Sequence, residues 1–271
     1  MTCPTLAPAL ILTALSLLMG WKGLPLHPVW NARIMAITGG ATVLAVISTI
    51  IFVAAVYTAE MLALTMVESG TFARFLLSHG PVPPYLGMVS LALLGASLVR
   101  AIRLFEGLRE EMRVVRDQAE RIRRQDHPVA MAVPGEQGGV LISRGLTRLL
   151  DRRQLQVVFR HEHSHLRHHH HLYSALASLF VALVPPLCVL QRALLLALER
   201  WADEDAAAAT GDRALVAHTI ARVALAAPQA RSTWNLALAE AHTLKRVQAL
   251  LADAPSANRV AGPALLGGTG V

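Results

Sequence analysis

Charge is scarce in this chain. Only 16% of its 271 residues are Asp, Glu, Lys or Arg, 54% are hydrophobic, and the mean hydropathy is +0.46. A soluble domain of this size rarely tolerates so few charges, so an integral membrane protein leads over an Ala- and Leu-rich soluble helical enzyme. Cysteine is almost absent. Cys3 and Cys188 both lie in apolar surroundings, which excludes a disulfide framework and a cysteine-based zinc site. No internal repeat is present. No basic residue precedes the apolar run Leu6–Met19, which argues against a signal peptide and for a first membrane helix.

What is there is apolar and long. Met35–Tyr57 is uncharged and rich in β-branched residues, and Pro84–Val99 is a third apolar run that ends at Arg100. Both are apolar all round, the pattern of a membrane helix rather than an amphipathic one. Arg100–Arg124 carries eight arginines against five acids directly after the third run. The positive-inside rule makes that side cytoplasmic. The loop with Lys22 and Arg33 is then inside, and the N-terminus and the loop around Arg74 are outside. Net charge is +7, but interleaved Glu106, Glu110, Glu111 and Glu120 make the basic stretch a solvated juxtamembrane helix rather than a nucleic-acid surface. The expected layout is a membrane domain of three transmembrane helices over 1–100, a basic helix over 101–126, a catalytic domain over 127–254 and a disordered tail over 255–271. The partners are the lipid bilayer and no nucleic acid. The location is a cell (inner or plasma) membrane.

After Asp126 the pattern changes. Val129–Val133 and Gly138–Ser143, separated by Pro134-Gly135, predict a short β-hairpin. Asp151, with Gln154 three residues on, predicts a capped helix. Along it Leu155, Val158, Phe159 and Leu166 recur at helical spacing, with Glu162 in the stripe. A carboxylate on a buried face is costly unless it is paired or working at a metal.

That helix carries His161-Glu162-x-x-His165. Histidines four apart share one face and can bind one Zn²⁺, while the glutamate between them is placed to act as general base. The pattern points to metal-assisted peptide hydrolysis. However, seven of the eleven residues from His161 to His171 are histidine, so spacing alone is weak evidence. A catalytic zinc site needs a third protein ligand. Glu199 is preferred, with Asp203 one turn on placed to fix the tautomer of a ligating histidine. Helix-end charges are the plain alternative for both. His168 shares the motif face and is a competing ligand. His163, His169, His170 and His171 read as a solvated or membrane-proximal cluster, or as weak adventitious metal sites. The competing function is a non-catalytic membrane metal-binding or signalling protein that uses the histidine cluster.

Strand, Gly145-Leu146, capped His161-Glu162-x-x-His165 helix and Glu199-x-x-Ala202-Asp203 resemble the membrane zinc endopeptidases of the M48 and M56 families, the HtpX-like and BlaR/MecR-like antirepressor types. Over residues 127–252 the resemblance implies an α+β zincin-like domain with an edge strand, following N-terminal transmembrane helices. It implies one Zn²⁺ per chain held by His161, His165 and Glu199, with Glu162 as base and Asp203 as the acid after the third ligand. It also implies that Gly139, Val140, Leu141, Ile142 and Ser143 pair with extended substrate, a repressor-like or misfolded protein. Thr243–Leu251, with Arg246, resembles the family's distal helix. A large sensor domain after the last apolar segment is not expected, so sensing would fall to the spans, the loops or another protein.

One geometric demand follows. If His165 and Glu199 hold one ion, both ends of Ser174–Leu198 lie on one side of the membrane, whereas one straight span of that length would separate them by about 30 Å. Pro185-Pro186 and Gln191-Arg192 therefore predict a bent, re-entrant or buried segment over 174–198.

Overall fold

A computed structural model describes residues 6–65, 82–117, 119–135, 138–226 and 233–255. The described chain is mostly helical: α1 (Ala7–Lys22), α2 (Pro28–Thr65), α3 (Pro84–Asp117), α4 (Ala119–Arg123), β1 (Ala130–Val133), β2 (Gly139–Ile142), α5 (Arg144–Leu149), α6 (Arg152–Arg167), α7 (His170–Leu183), a 3₁₀ turn (Pro185–Leu187), α8 (Cys188–Thr210), α9 (Arg213–Ala226) and α10 (Thr233–Leu251). The loop around Arg74 and the tail from residue 256 lie outside the described residues. The expected third span and basic helix are one helix in α3, because no glycine or proline breaks the chain where apolar sequence gives way to arginine at Arg100.

Contacts divide the chain into two units. The first contains α1, most of α2, the first part of α3, and the end of α7 with the start of α8. Two of its helices, Pro28–Leu62 and Pro84–Val114, are long and apolar enough to cross a membrane. At 16 residues and about 1.5 Å per residue, α1 is shorter than the hydrocarbon thickness. It is tied to α2 by a buried contact between Ser16 Oγ and Thr42 Oγ1 at 2.7 Å. The α7–α8 elbow lies in this unit. Pro185 and Pro186 lack the amide hydrogens that would continue α7, and the chain turns back so that Gln191 Nε2 donates to Ser178 Oγ at 3.1 Å. Arg100 Nε donates to Ala182 O at 2.8 Å and Ser97 Oγ to Leu183 O at 3.2 Å, satisfying carbonyls that the end of α7 leaves free. At Gly20 a Cβ would meet the backbone of Leu190 at 2.7 Å, so α1 reaches the elbow only with glycine there.

The second unit holds residues 24–34, the hairpin, α5, α6, the start of α7, the rest of α8, α9 and α10. The hairpin is antiparallel, with Ala132 opposite Val140 and Met131 opposite Leu141. Ser143 Oγ donates to His127 O and accepts from the amides of Val129 and Leu146, closing the hairpin and capping α5 with one hydroxyl. The predicted capping box is present: Asp151 Oδ1 accepts from Gln154 N at 2.9 Å, and Gln154 Oε1 from Asp151 N at 3.2 Å. The core gathers Val157 of α6, Ala206 and Ala207 of α8, Val216 and Ala217 of α9 and Leu250 of α10. Alanines on α8 permit close helix approach, and Arg213 locks the end of α10 through Ala249 O and Leu250 O.

The stripe predicted on α6 is rotated. Phe159 is 45% exposed and stacks on His163, whereas Gln154, Val157 and Ser164 are buried. The inner row is therefore 154–157–161–164, because the small side chains of α8 receive that face. Glu162 still faces inward, at the border of the row.

Candidate metal centre

Three elements converge on the motif. α6 presents His161, Glu162 and His165, α8 brings Glu199 and Asp203, and α10 adds Arg246. His161 Nε2 and His165 Nε2 are 3.2 Å apart, Glu199 Oε2 is 3.5 Å from the first and Glu199 Oε1 is 3.6 Å from the second. A tetrahedral Zn²⁺ with bonds of about 2.0–2.1 Å has ligand–ligand edges of about 3.3–3.4 Å. The nearest donor atoms of the three groups thus lie close to the spacing such an ion requires, and two imidazoles with a carboxylate are chemically suited to holding one. They are the one group of three or more potential metal ligands among the described residues.

The surroundings orient these side chains. His161 Nδ1 lies 3.0 Å from Asp203 Oδ1, off the line of a well-aligned hydrogen bond. Asp203 is 1% exposed and is gripped by Arg246, whose Nε and Nη2 donate at 2.8 and 2.7 Å. Arg246 Nη1 also lies 2.9 Å from Glu199 Oε2. Burial opposes the charge on His161, yet its contacts with Asp203 and Glu199 prevail and raise it to about 10. Burial and the neighbouring His161 push His165 down to about 4. Burial would raise the Glu199 and Asp203 carboxyls, but contacts with His161 and Arg246 hold both well below the ordinary range. Glu162 behaves oppositely. Burial, helped by the negative Glu199, lifts its carboxyl above the usual glutamate value while the backbone of Ala132 hydrogen-bonds to it. Two carboxylates on one site are thus pushed in opposite directions.

A cavity of about 280 Å³ opens beside Glu162, His161, Glu199 and Arg246, walled by Leu146, Val158, Ile220 and Val223. The hairpin residue that lines it is Ala130 of β1; Gly139 to Ser143 do not line it. His168 does not join the ligands. Its Nε2 lies 2.9 Å from Asp205 Oδ2, which also accepts from Ser164 Oγ. His170, expected in a solvated or membrane-proximal cluster or at a weak adventitious metal site, is 2% exposed. Burial, with the nearby His165 and His168, lowers it to about 3. Sequence reasoning overlooked it because helical periodicity cannot foresee a break two residues earlier. Arg246 was visible only through family likeness, since its partners lie 43 and more residues away.

The family model Peptidase family M48 matches residues 102–254. The chain belongs to peptidase family M48. It is a metallopeptidase whose substrates are proteins or peptides. Comparison with curated proteins and with solved structures yields no match.

Proposed function

We propose that this M48 peptidase is a membrane-anchored zinc endopeptidase acting at the cytoplasmic face, with His161, His165 and Glu199 as ligands and Glu162 as general base. The convergence of the three groups, with nearest donor atoms 3.2–3.6 Å apart, carries the reading. Zinc held there supplies Lewis-acid chemistry, polarising a scissile carbonyl and making water more acidic. Glu162, which lines the cavity and whose carboxyl burial lifts above the usual glutamate value, takes the proton of the attacking water and hands it to the departing amine. Asp203 holds His161 from behind, and Arg246 fixes Asp203 and Glu199 together.

An amide that hydrogen-bonds Glu162 points away from β2, so the free edge of β1 faces the site. An extended substrate adds to that edge, with Gly139–Ser143 as the strand behind it; main-chain pairing suits peptides of varied sequence. A repressor-like or misfolded membrane-associated protein is the proposed substrate, by resemblance to the HtpX-like and BlaR/MecR-like enzymes.

The test is metal content of the full chain purified in detergent. Wild type is expected to carry one zinc per chain and Glu199→Ala much less, since a two-histidine remnant loses a charged ligand. Several ions per chain, unaffected by Glu199→Ala, would replace the peptidase site with a histidine metal buffer.

Anchoring rests on the two apolar helices, whose outward faces leave Leu44, Ile51, Met88 and Leu98 exposed, and on the arginines that follow. With Glu199 beside His165, the elbow at Cys188 belongs on the same side as the catalytic domain or within the bilayer. In a Cys3→Ser background, Cys188 in intact cells is expected to resist an impermeant maleimide applied from outside. Rapid external labelling of zinc-loaded protein would overturn this topology.

A further inference from the structure

The histidine run continues past the motif, and the break in it has a geometric consequence. α6 ends at Arg167 and α7 begins at His170. Between them His169 has φ 53°, unique among the described non-glycine residues in being positive. Left-handed backbone is uncommon for a residue with a Cβ, and such strain concentrates where a site depends on it. In an unbroken helix His170, five residues after His165, would stand about 140° around the axis from it. With the break, His170 Nδ1 lies 2.9 Å from His165 Nδ1 and the rings meet edge-on, 4.8 Å between centroids at 84°. Trp201 packs on His170 at 4.8 Å and is flanked in turn by His168 at 4.6 Å, which Asp205 anchors.

We infer that His170 is a positioning residue for the metal site: it accepts a hydrogen bond from His165 Nδ1–H, and the left-handed turn at His169 puts it there. Two facing imidazole nitrogens need one donor and one acceptor. His165 turns Nε2 toward His161 and Glu199, so that nitrogen keeps its lone pair for the ion and the proton belongs on Nδ1. His170 then carries its own proton on Nε2. That atom is buried without a hydrogen-bond partner among the described residues. Asp203 serves His161 with a charged acceptor, and His170 serves His165 with a neutral one. The run is thereby divided: His161 and His165 ligate, His170 orients, and His168 braces the packing behind it.

This rests on the zinc reading above, and the experiment separates the two. Zinc affinity is measured by chelator competition on the full chain in detergent, for wild type, His170→Leu, His170→Asn, His169→Val and His169→Gly. Leucine offers no acceptor while asparagine restores one; valine resists the left-handed conformation while glycine adopts it freely. His170→Leu and His169→Val are expected to bind about 10–100-fold more weakly, and the Asn and Gly variants to stay within about threefold of wild type. Cobalt(II) absorption is expected to change in His170→Leu and to return in His170→Asn. Equal affinity in Leu and Asn variants, or in Val and Gly variants, overturns the inference whether equally tight or equally weak. If the Leu variant fails to fold, the His169 pair decides, and conversely. Wild type that binds no zinc removes the metal reading itself instead.

Discussion

Glu162→Gln is expected to lower kcat/KM for peptide cleavage by about 10²–10⁴-fold while zinc content stays at the wild-type level. Glutamine keeps the volume, and its side-chain oxygen can still accept from the amide of Ala132, so the cavity wall is preserved. It cannot take a proton. Glu162 is absent from the group His161, His165 and Glu199, which is why metal retention is part of the expectation. The loss falls on kcat rather than KM, because a general base acts in the transition state and not in ground-state binding. Cleavage of casein in detergent, with metal analysis of the same sample, gives both readouts. Undiminished activity would take Glu162 out of the mechanism, and lost zinc would make it a ligand.

Much of this site was legible in the sequence because its logic is local. His161, Glu162 and His165 are fixed by helical spacing, and Asp151 with Gln154 sets where their helix starts. The hairpin followed from turn residues between β-branched runs. Glu199 was reachable by a different route: a third ligand was needed, Asp203 follows it one turn on, and the family resemblance puts a glutamate there; the fold-back at Pro185-Pro186 followed from that choice. Non-local features stayed hidden. The rotation of α6, which exposes Phe159 and buries Gln154, is set by where α8 places Ala206 and Ala207. Gln154 is buried because His218 and Arg222 of α9 engage its side chain, a network invisible in any short window. His170 was misread for a related reason. Its burial depends on one backbone dihedral at His169, and composition alone made it one more histidine in a row.

Arg246→Met is expected to destabilise the metal-free protein by about 3–5 kcal/mol, the usual cost of removing one partner from a buried ion pair. The guanidinium meets both oxygens of Asp203 and one of Glu199, and Asp203 is 1% exposed. Methionine keeps much of the aliphatic stem, so the loss reports the charge and its hydrogen bonds. Both carboxyls are held below their ordinary values by Arg246 and His161. Such groups add stability above the unfolded carboxyl range of about 3.9–4.3, and lose it as pH falls through their lower folded values. The gap between wild type and Arg246→Met is therefore expected to be widest near neutrality and to close on the acid side. Zinc is expected to stabilise the variant more than the wild type. An ion at His161, His165 and Glu199 restores positive charge beside the two carboxylates, and no arginine opposes its entry. Thermal unfolding with chelator and with zinc, across pH, reads all three effects. A chelated variant that melts with wild type at neutral pH would mean that the two acids tolerate burial without their cation, and Arg246 would then be no structural tie between α8 and α10.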